Sequence, residues 1–452
     1  MPAEPIASSA VLTRDGVFEV ARSLFTDPAL HALEMRAIFE GTWLYLCHES
    51  QIARPGDWFT THMGRQPVVI VRGQDQKVRG FINACAHRGA MLCRTRKGNS
   101  KFLTCPYHGW VYGNDGRNVQ IKDHSSGAYP SAFEAQSHDL TAIPKLTSYR
   151  GFVFGSLNPE VASLAEHLGD ASVFIDLLVD QSADGLEVLP GASSYVNRGN
   201  WKLQPENGLD GYHFTTVHAN YLAMMARRAP QGGEVRRSYD DSLAARASGW
   251  YEFAHGHGVM WATYPRPEAR PVWDWRADIE QRMSPQRARW ILHHQRNVLI
   301  YPNLLLQDNA STQIRVIRPL DVASCEVSIY AVAPVGESPA ARTLRLRQYE
   351  DFFNATGVAT PDDLLVFEAC QQGFAGSLAA WQQGYARGGT RIHAGQDQHA
   401  RALGIHPLAW GDDFQDESML HGQFRQWVHL LEKVAKPSAR HAAPLPGKHL
   451  VS

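Results

Sequence analysis

The chain has 452 residues, with 44 Lys and Arg against 45 Asp and Glu and a formal net charge of −1. This length is enough for two or three domains of ordinary size, each with its own core. The near-zero charge argues against nucleic acid or an anionic membrane surface as a partner. The sequence contains no apolar run near the roughly 18 residues that span a bilayer and no recognisable signal peptide, so we expect a cytoplasmic protein.

The first two parts of the chain differ in their residue patterns. Residues 1–42 contain helically spaced apolar residues over 28–41, which predict a short helix. From 43 to 157, short β-prone pieces alternate with Gly, Asn, Asp and Pro, the pattern of a compact all-β module. The six cysteines of the chain are too few for a disulfide scaffold, so we expect free thiols or metal ligands.

Residues 158–435 contain both helix-like and strand-like spacing of apolar residues, which predicts that they form the larger domain. Helices are expected near 161–180, 208–226 and 414–433 and after Ser338-Pro339 and Thr360-Pro361, and strands at 186–196 and between 259 and 335. The strands are expected to form an antiparallel sheet. The tail, residues 436–452, has few apolar residues and is expected to be an extended or disordered arm. The whole pattern predicts an α+β protein in which a small β-domain is inserted in a larger domain.

The β-module contains a first candidate metal site. Cys85-Ala-His87 is followed by Cys105-Pro-Tyr-His108, so that two thiolates and two imidazoles occur at paired short spacings. One interpretation is a structural zinc with two Cys and two His ligands. Zinc sites usually pair Cys with Cys and His with His, whereas each half here supplies one of each. This mixture suits a two-iron cluster with both cysteines on one iron and both histidines on the other.

The two loops, CAHRGA and CPYHGW, resemble the Rieske [2Fe–2S] motif in the form found in oxygenases. High-potential Rieske proteins carry an additional cysteine in each loop, joined as a disulfide, and those positions are Ala90 and Tyr107 here. We therefore expect a reduction potential at the lower end of the Rieske range. Cys93, between the two halves, is expected to be a buried thiol and not a ligand.

Residues 201–218, WKLQPENGLDGYHFTTVH, contain a second candidate site. His213 and His218 would lie about 140° apart on an ideal helix, so they can share a metal only if the helix is irregular. Asp210, three residues before His213, can orient its imidazole. Taken alone, the pair would be interpreted as two unrelated histidines. The pattern E-N-x-x-D-x-x-H-x4-H nevertheless resembles the mononuclear-iron motif of Rieske non-haem iron oxygenases.

The same resemblance implies a third ligand on a late helix. The segment TPDDLLVFEACQ, which begins at Thr360, resembles the family pattern D-D-x4-E-x2-Q and implies Asp363 as the ligand, with Asp362 as the second choice. Two histidines and one carboxylate on one face leave the opposite face open for dioxygen and substrate. Sequence chemistry alone favours another role for Asp363, because Thr360 and Asp363 also fit an N-terminal capping box.

Nearly the whole chain resembles the large subunit of aromatic-ring-hydroxylating dioxygenases, and most of all the benzoate, toluate, anthranilate and halobenzoate enzymes. The resemblance implies an all-β Rieske domain inserted in a helix-grip (START-like) catalytic domain with an antiparallel sheet. It implies a [2Fe–2S] cluster, one mononuclear iron and cis-dihydroxylation of a benzoate-like acid. It also implies trimers, usually with three small subunits, in which electrons pass from a cluster ligand, His108, to Asp210 of the neighbouring subunit.

Further partners and alternatives follow from the residues. The only close Gly-x-Gly, Gly256-His-Gly258, lacks the third glycine of a dinucleotide fingerprint, so NADH is expected to act through a separate flavin and [2Fe–2S] reductase. Arg227 and Arg228 could bind a substrate carboxylate, although an ordinary solvated helix end explains them as well. Two alternatives remain: a Rieske monooxygenase with the same ligands, and a zinc-stabilised helix-grip protein that binds a ligand without chemistry.

Overall fold

A computed structural model of the chain describes residues 8–228, 246–309 and 311–435, so the expected C-terminal arm lies outside the described residues. The chain begins with a hairpin of β1 (Val11–Arg14) and β2 (Val17–Ala21). The described helices are α1 (Pro28–Glu34), α2 (Ser131–Glu134), α3 (Leu164–Leu168), α4 (Ser172–Val179), α5 (Leu203–Gly208), α6 (Phe214–Val217), α7 (Ala219–Arg228), α8 (Arg276–Arg282), α9 (Pro285–His293), α10 (Pro339–Phe352), α11 (Thr360–Phe374), α12 (Gln398–Leu403) and α13 (His421–Ala435). No described helix is long and apolar enough to cross a membrane.

The predicted β-module is present. Its strands are β3 (Leu44–His48), β4 (Asp57–Met63), β5 (Gln66–Arg72), β6 (Val78–Ile82), β7 (Lys97–Asn99), β8 (Phe102–Thr104), β9 (Val111–Gly113), β10 (Asn118–Gln120), β11 (Lys145–Tyr149) and β12 (Phe152–Ser156). They form three antiparallel sheets, in the orders β6-β5-β4-β7, β10-β9-β8 and β11-β12-β3. A small separate core, which includes Phe81, Leu103 and Tyr112, lies beneath the loops that carry the four predicted cluster ligands.

The larger part of the chain is built on one antiparallel sheet of nine strands. The remaining strands are β13 (Leu186–Val188), β14 (Ser193–Asn197), β15 (Ser248–Glu252), β16 (Gly258–Thr263), β17 (His294–Ile300), β18 (Leu304–Asp308), β19 (Thr312–Asp321), β20 (Ser324–Pro334), β21 (Trp381–Gln382) and β22 (Ala409–Gly411). The order in the sheet is β13-β20-β19-β18-β17-β16-β15-β22, with β14 also paired to β20, while β21 extends the N-terminal hairpin. The predicted α+β class is confirmed.

Local signals explain where several helices begin. The Asp27 side chain accepts a hydrogen bond from Ala29 N–H at 2.7 Å, which caps α1. Ser338 caps α10 in the same way by accepting from Ala341 N–H at 3.1 Å, so the predicted start at Ser338-Pro339 is confirmed. The predicted continuous helix over 208–226 is wrong, because residues 209–213 are not helical and α6 and α7 are separated at His218.

A buried carboxylate, Glu34, joins α1 and α13 to the segment that carries the second motif. Glu34, at the end of α1, lies 2.6 Å from Lys202 Nζ, and both side chains are buried. Trp201 Nε1 donates to Glu34 at 2.9 Å, and Trp427 Nε1 of α13 donates at 2.6 Å. Three donors therefore compensate the cost of burying the Glu34 carboxylate.

Candidate active site

The two cluster loops have the same backbone geometry. Gly89 N–H donates to Cys85 O at 2.8 Å, and Gly109 N–H donates to Cys105 O at 3.0 Å. Both glycines adopt positive φ, 76° and 71°, a conformation that a side chain disfavours. The glycine that follows each predicted ligand pair is therefore required by the tight turn.

The donor set of these loops fits a Rieske cluster. The thiols of Cys85 and Cys105 are buried, each residue being 3% exposed, and burial raises the pKa of the Cys85 thiol. The rings of His87 and His108 lie 4.5 Å apart between centroids. His108 Nδ1 is buried and has no hydrogen-bond partner among the described residues, as expected of an atom that binds iron. Cys93 is buried, as predicted, and burial raises its pKa to about 12.

A tyrosine hydroxyl contacts one of the predicted cluster ligands. Tyr112 Oη lies 3.1 Å from Cys85 Sγ and accepts a hydrogen bond from Ala86 N–H, also at 3.1 Å. Because the hydroxyl already accepts from the backbone, its own proton is free to point at the sulfur. A hydrogen-bond donor to a cysteine sulfur that holds the cluster stabilises the reduced cluster more than the oxidised one, since reduction adds negative charge.

We therefore expect Tyr112→Phe to lower the reduction potential of the cluster. A hydrogen bond worth about 1 kcal/mol corresponds to a shift of roughly 40 mV for a one-electron couple. Spectroelectrochemical titration of the purified protein measures the shift. Tyr129→Phe, in the same β-module, is the control and should leave the potential unchanged. An equal potential in wild type and Tyr112→Phe would contradict a hydrogen bond to the cluster.

Three side chains of the larger domain converge on one point. His213 Nε2 and His218 Nε2 lie 3.2 Å apart, and Asp363 Oδ1 lies 3.7 Å from the first and 3.3 Å from the second. Ligand atoms at roughly 2.1 Å from a metal and near right angles are about 3 Å apart. Among the described residues, this is the one group of three or more such side chains with metal-binding spacing. The sequence prediction of these three residues as neighbours is therefore confirmed, although their role as ligands stays a prediction.

The break in the helix explains how two histidines five residues apart can meet. Asp210 Oδ1 accepts from Tyr212 N–H at 2.6 Å and from His213 N–H at 3.3 Å, which forms a turn in place of the predicted helix. Its other oxygen lies 3.0 Å from His213 Nδ1. Asp210 therefore orients the imidazole, as predicted, but from a side-chain turn and not from one face of a helix.

The capping interpretation of Asp363 is wrong. The helix α11 begins after Ala359, where no side-chain cap is present, and Thr360 lies inside the helix and donates to Phe353 O at 2.9 Å. The Asp363 carboxylate points instead to the two histidines. Asp362, the second choice, does not belong to the group with metal-binding spacing.

Asn207 is a neighbour of this group that sequence reasoning did not single out. Its Nδ2 donates to Asp363 Oδ1 at 3.2 Å and lies 3.3 Å from His213 Nε2. The amide thus fixes the carboxylate relative to the imidazole. The signal was present in the sequence, because Asn207 is the asparagine of the E-N-x-x-D pattern.

Burial and neighbouring charges set the protonation of the three side chains. Burial, together with the charges of His213 and Arg315, lowers the pKa of His218 to about 3. Burial raises the pKa of Asp363 to about 6, against the opposing effect of the same two charges. Burial would lower the pKa of His213, but the hydrogen bond and charge of Asp210 raise it overall. At neutral pH the His218 lone pair and the Asp363 carboxylate are available to a metal.

A cavity of about 170 Å³ opens beside the three side chains, between α5–α7, α10 and α11 and one face of the sheet. Its lining is partly aromatic and partly polar: Phe214, Trp261 and Phe352, with Asn297, Gln307 and Arg315. Arg227, which was one possible carboxylate-binding residue, is exposed and is not part of this lining, which favours the alternative of an ordinary solvated helix end. The side chain of Arg228 lies outside the described part of the chain.

Comparison with known proteins assigns the β-module and the larger domain to two known domain families. Residues 42–144 match the Rieske [2Fe–2S] domain, and residues 187–414 match the catalytic domain of the ring hydroxylating alpha subunit. The toluate 1,2-dioxygenase alpha subunit of Pseudomonas putida is 45% identical over 93% of this chain and 93% of its own. The chain belongs to the ring-hydroxylating alpha subunits.

A second relative agrees with this membership, and a solved structure has the same fold. The 2-halobenzoate 1,2-dioxygenase large subunit of Burkholderia cepacia is 45% identical over 92% of this chain and 90% of its own. The naphthalene 1,2-dioxygenase of Rhodococcus sp., solved with bound indole, has the same fold, with a TM-score of 0.80 at 24% identity over 93% of this chain and 95% of that one. The Rieske-plus-catalytic-domain architecture is confirmed.

This ring-hydroxylating alpha subunit is an oxidoreductase with a Rieske [2Fe–2S] cluster and a mononuclear non-haem iron. The alternative of a zinc-stabilised binding protein is therefore wrong. Both donor sets described above fit these cofactors: two buried thiols beside two imidazoles in the β-module, and two imidazoles beside one carboxylate in the catalytic domain.

Proposed function

We propose that Cys85, His87, Cys105 and His108 hold the cluster and that His213, His218 and Asp363 hold the mononuclear iron. The convergent donor atoms support this assignment. When bound, the cluster transfers single electrons and the iron activates dioxygen. The side chains around them position these groups: Asp210 orients the His213 ring, and Asn207 fixes the Asp363 carboxylate.

The reaction we infer is the cis-dihydroxylation of a benzoate-like aromatic acid. The observation that carries it is the likeness over more than nine tenths of the chain to enzymes named for toluate and 2-halobenzoate. The aromatic side chains of the cavity, Phe214, Trp261 and Phe352, suit a ring held by apolar contact. The product would carry one hydroxyl on each of two adjacent ring carbons.

The electron supply forms the second part of the proposal. NADH gives up two electrons as a hydride, whereas a Rieske cluster carries one, so a separate flavin and [2Fe–2S] reductase is required. The relatives are named as alpha or large subunits, which supports a small beta subunit in an α3β3 assembly, with an α3 trimer as the alternative. A cytoplasmic location, where NADH is available, completes this proposal.

Electron transfer between neighbouring subunits is also part of it. His87 is exposed, and His108 is partly exposed, in the two cluster loops of the β-module. Asp210 keeps 22% of its side chain exposed while it contacts His213. His108 and Asp210 are thus both partly accessible to a neighbouring subunit, which supports the path from His108 to Asp210.

Turnover with isotopic dioxygen tests the reaction. The protein is supplied with NADH and a flavin and [2Fe–2S] reductase and is incubated with benzoate and its 2-halo, 2-amino and methyl derivatives. We expect a cis-diol, or the catechol that forms from it, with both oxygen atoms from ¹⁸O₂. Toluene is the matched neutral ring and should react poorly. One labelled atom per product would favour the Rieske monooxygenase, and preference for toluene would contradict an acid substrate.

A further inference from the structure

Arg315 differs from the other buried arginines of the described chain. Arg270, Arg296 and Arg345 are at most 2% exposed, and Arg315 is 4% exposed. The first three each contact a buried carboxylate: Arg270 and Arg296 contact Asp308, and Arg345 contacts Glu337. Arg315 forms no ion pair with any carboxylate among the described residues. The fold thus pairs three buried guanidinium groups with carboxylates and leaves Arg315 without a contacting carboxylate in the described part of the chain.

The hydrogen-bonding capacity of Arg315 is also largely unused. A guanidinium has five N–H donors. Nη1 of Arg315 donates to Gln204 Oε1 at 3.4 Å, and Nε is buried with no partner among the described residues. A buried charge without partners is costly, and it is tolerated where a ligand supplies the opposite charge. An anion that enters from the cavity would supply both the opposite charge and acceptors for the unused N–H donors.

The register of the sheet places Arg315 in the substrate cavity. In the β18–β19 pair Arg315 is opposite Leu305, and in the β17–β18 pair Gln307 is opposite Asn297. Because side chains alternate between faces, Arg315, Leu305, Gln307 and Asn297 share one face of the sheet. Arg315, Gln307 and Asn297 line the same cavity as the two histidines and Asp363.

We propose that the Arg315 guanidinium binds the ring carboxylate of the substrate, an inference that rests on the proposed function. A planar fork of donors matches the two oxygens of a carboxylate. With a divalent iron held there, Arg315 and Arg246 would face the two carboxylates of the lining, Asp363 and Asp210, while Arg296 is already paired with Asp308. The lining would therefore keep an excess of positive charge. One benzoate anion reduces this excess.

The position of Arg315 also suits a substrate whose carboxylate lies next to the reacting carbons. The two relatives are named as 1,2-dioxygenases of ring acids, in which position 1 is the carbon that bears the carboxylate. An anchor for such a substrate must lie close to the reacting centre. Arg315 lines the same cavity as His213, His218 and Asp363, which places it near the predicted iron ligands.

Other arginines are less suited to this role. Arg296 borders the cavity, but its guanidinium is already paired with Asp308. Arg246 also borders the cavity and is only half-buried, so solvent rather than a ligand can compensate its charge. Arg227 is exposed on α7. Arg315 alone combines burial, an uncompensated charge and a position beside the reacting centre in the described chain.

Ligand binding without turnover provides the test. The iron-loaded protein is titrated anaerobically, by calorimetry, with benzoate and with benzamide, its neutral isostere. Wild type should prefer benzoate. R315Q should weaken benzoate binding about 30- to 100-fold, as expected for the loss of charge-assisted hydrogen bonds, and change benzamide binding about threefold or less. R315K retains the charge without the fork and should recover part of the preference.

The controls separate the two proposals. Iron content and the cluster spectrum are measured in every variant, and R227Q removes an exposed charge and should behave as wild type. A wild type that binds no aromatic acid contradicts the proposed function itself. A wild type that prefers benzoate, with the same preference in R315Q or with the preference lost in R246Q instead, overturns the role of Arg315. Equal weakening of both ligands in R315Q and R315K also overturns it, since that is the result of a packing role.

Discussion

Asp363→Ala should lose the mononuclear iron and retain the [2Fe–2S] cluster. The substitution removes the only carboxylate of the predicted ligand group and leaves two imidazoles, 3.2 Å apart, without a compensating negative charge. We expect iron analysis to show the loss of one iron per chain and turnover to fall to background. The visible spectrum of the cluster should be unchanged, because its four predicted ligands lie in a separate β-module with its own core.

Asp362→Ala is the matched control for this variant. The neighbouring carboxylate is on the same helical turn but is not part of the group with metal-binding spacing. Both variants remove one negative charge from the start of α11, so a general effect on the helix would appear in both. Iron loss in Asp362→Ala together with full iron in Asp363→Ala would reverse the assignment of the third ligand.

The second large effect is expected at Asp210. Asp210→Ala should keep both iron sites largely filled and lose most of the turnover, by about 10- to 100-fold, because the group that holds the His213 ring is gone. If Asp210 also links subunits, the defect lies in electron delivery. We therefore expect a prereduced cluster to be reoxidised slowly by dioxygen and substrate in a stopped-flow experiment.

Asp210→Asn separates the two roles of this residue. An asparagine oxygen can still accept from the N–H groups of Tyr212 and His213 and preserve the turn, but it has no negative charge. A slow variant with normal iron content would show that the charge matters beyond the turn. Normal turnover in Asp210→Ala would remove this residue from the electron path.

The cluster site could be predicted almost completely from the sequence because each half lies within one short loop. Spacing and the glycine after each ligand pair already define the turn that presents Cys85 with His87 and Cys105 with His108. The third predicted iron ligand could not be derived in this way. Asp363 is far along the chain from His218, its local pattern equally fits a capping box, and only the resemblance to a family placed it beside the two histidines, where the structure has it.

Tertiary effects account for the wrong helix prediction and for the arginine that sequence reasoning missed. The helix over 208–226 is interrupted because Asp210 uses its side chain to form a turn, which apolar periodicity cannot reveal. Arg227 was considered for the substrate carboxylate because it follows the histidines in sequence. Arg315 lies within a predicted strand among many apolar residues, and its missing counterion becomes evident only when the partners of all buried arginines are known.

The buried contacts of Glu34 with Lys202, Trp201 and Trp427 have a consequence for biosynthesis. The carboxylate comes from α1, the cation and one indole from residues 201–202, and the second indole from α13 near the end of the chain. The β-module contains all its predicted ligands within a stretch that leaves the ribosome early. Residues 201–202, by contrast, directly precede α5, the helix that carries Asn207 of the predicted iron site, and their contacts with Glu34 are completed only after Trp427 has been translated. Cluster insertion can thus precede iron loading, and loss of the last helix should impair the iron pocket and spare the cluster.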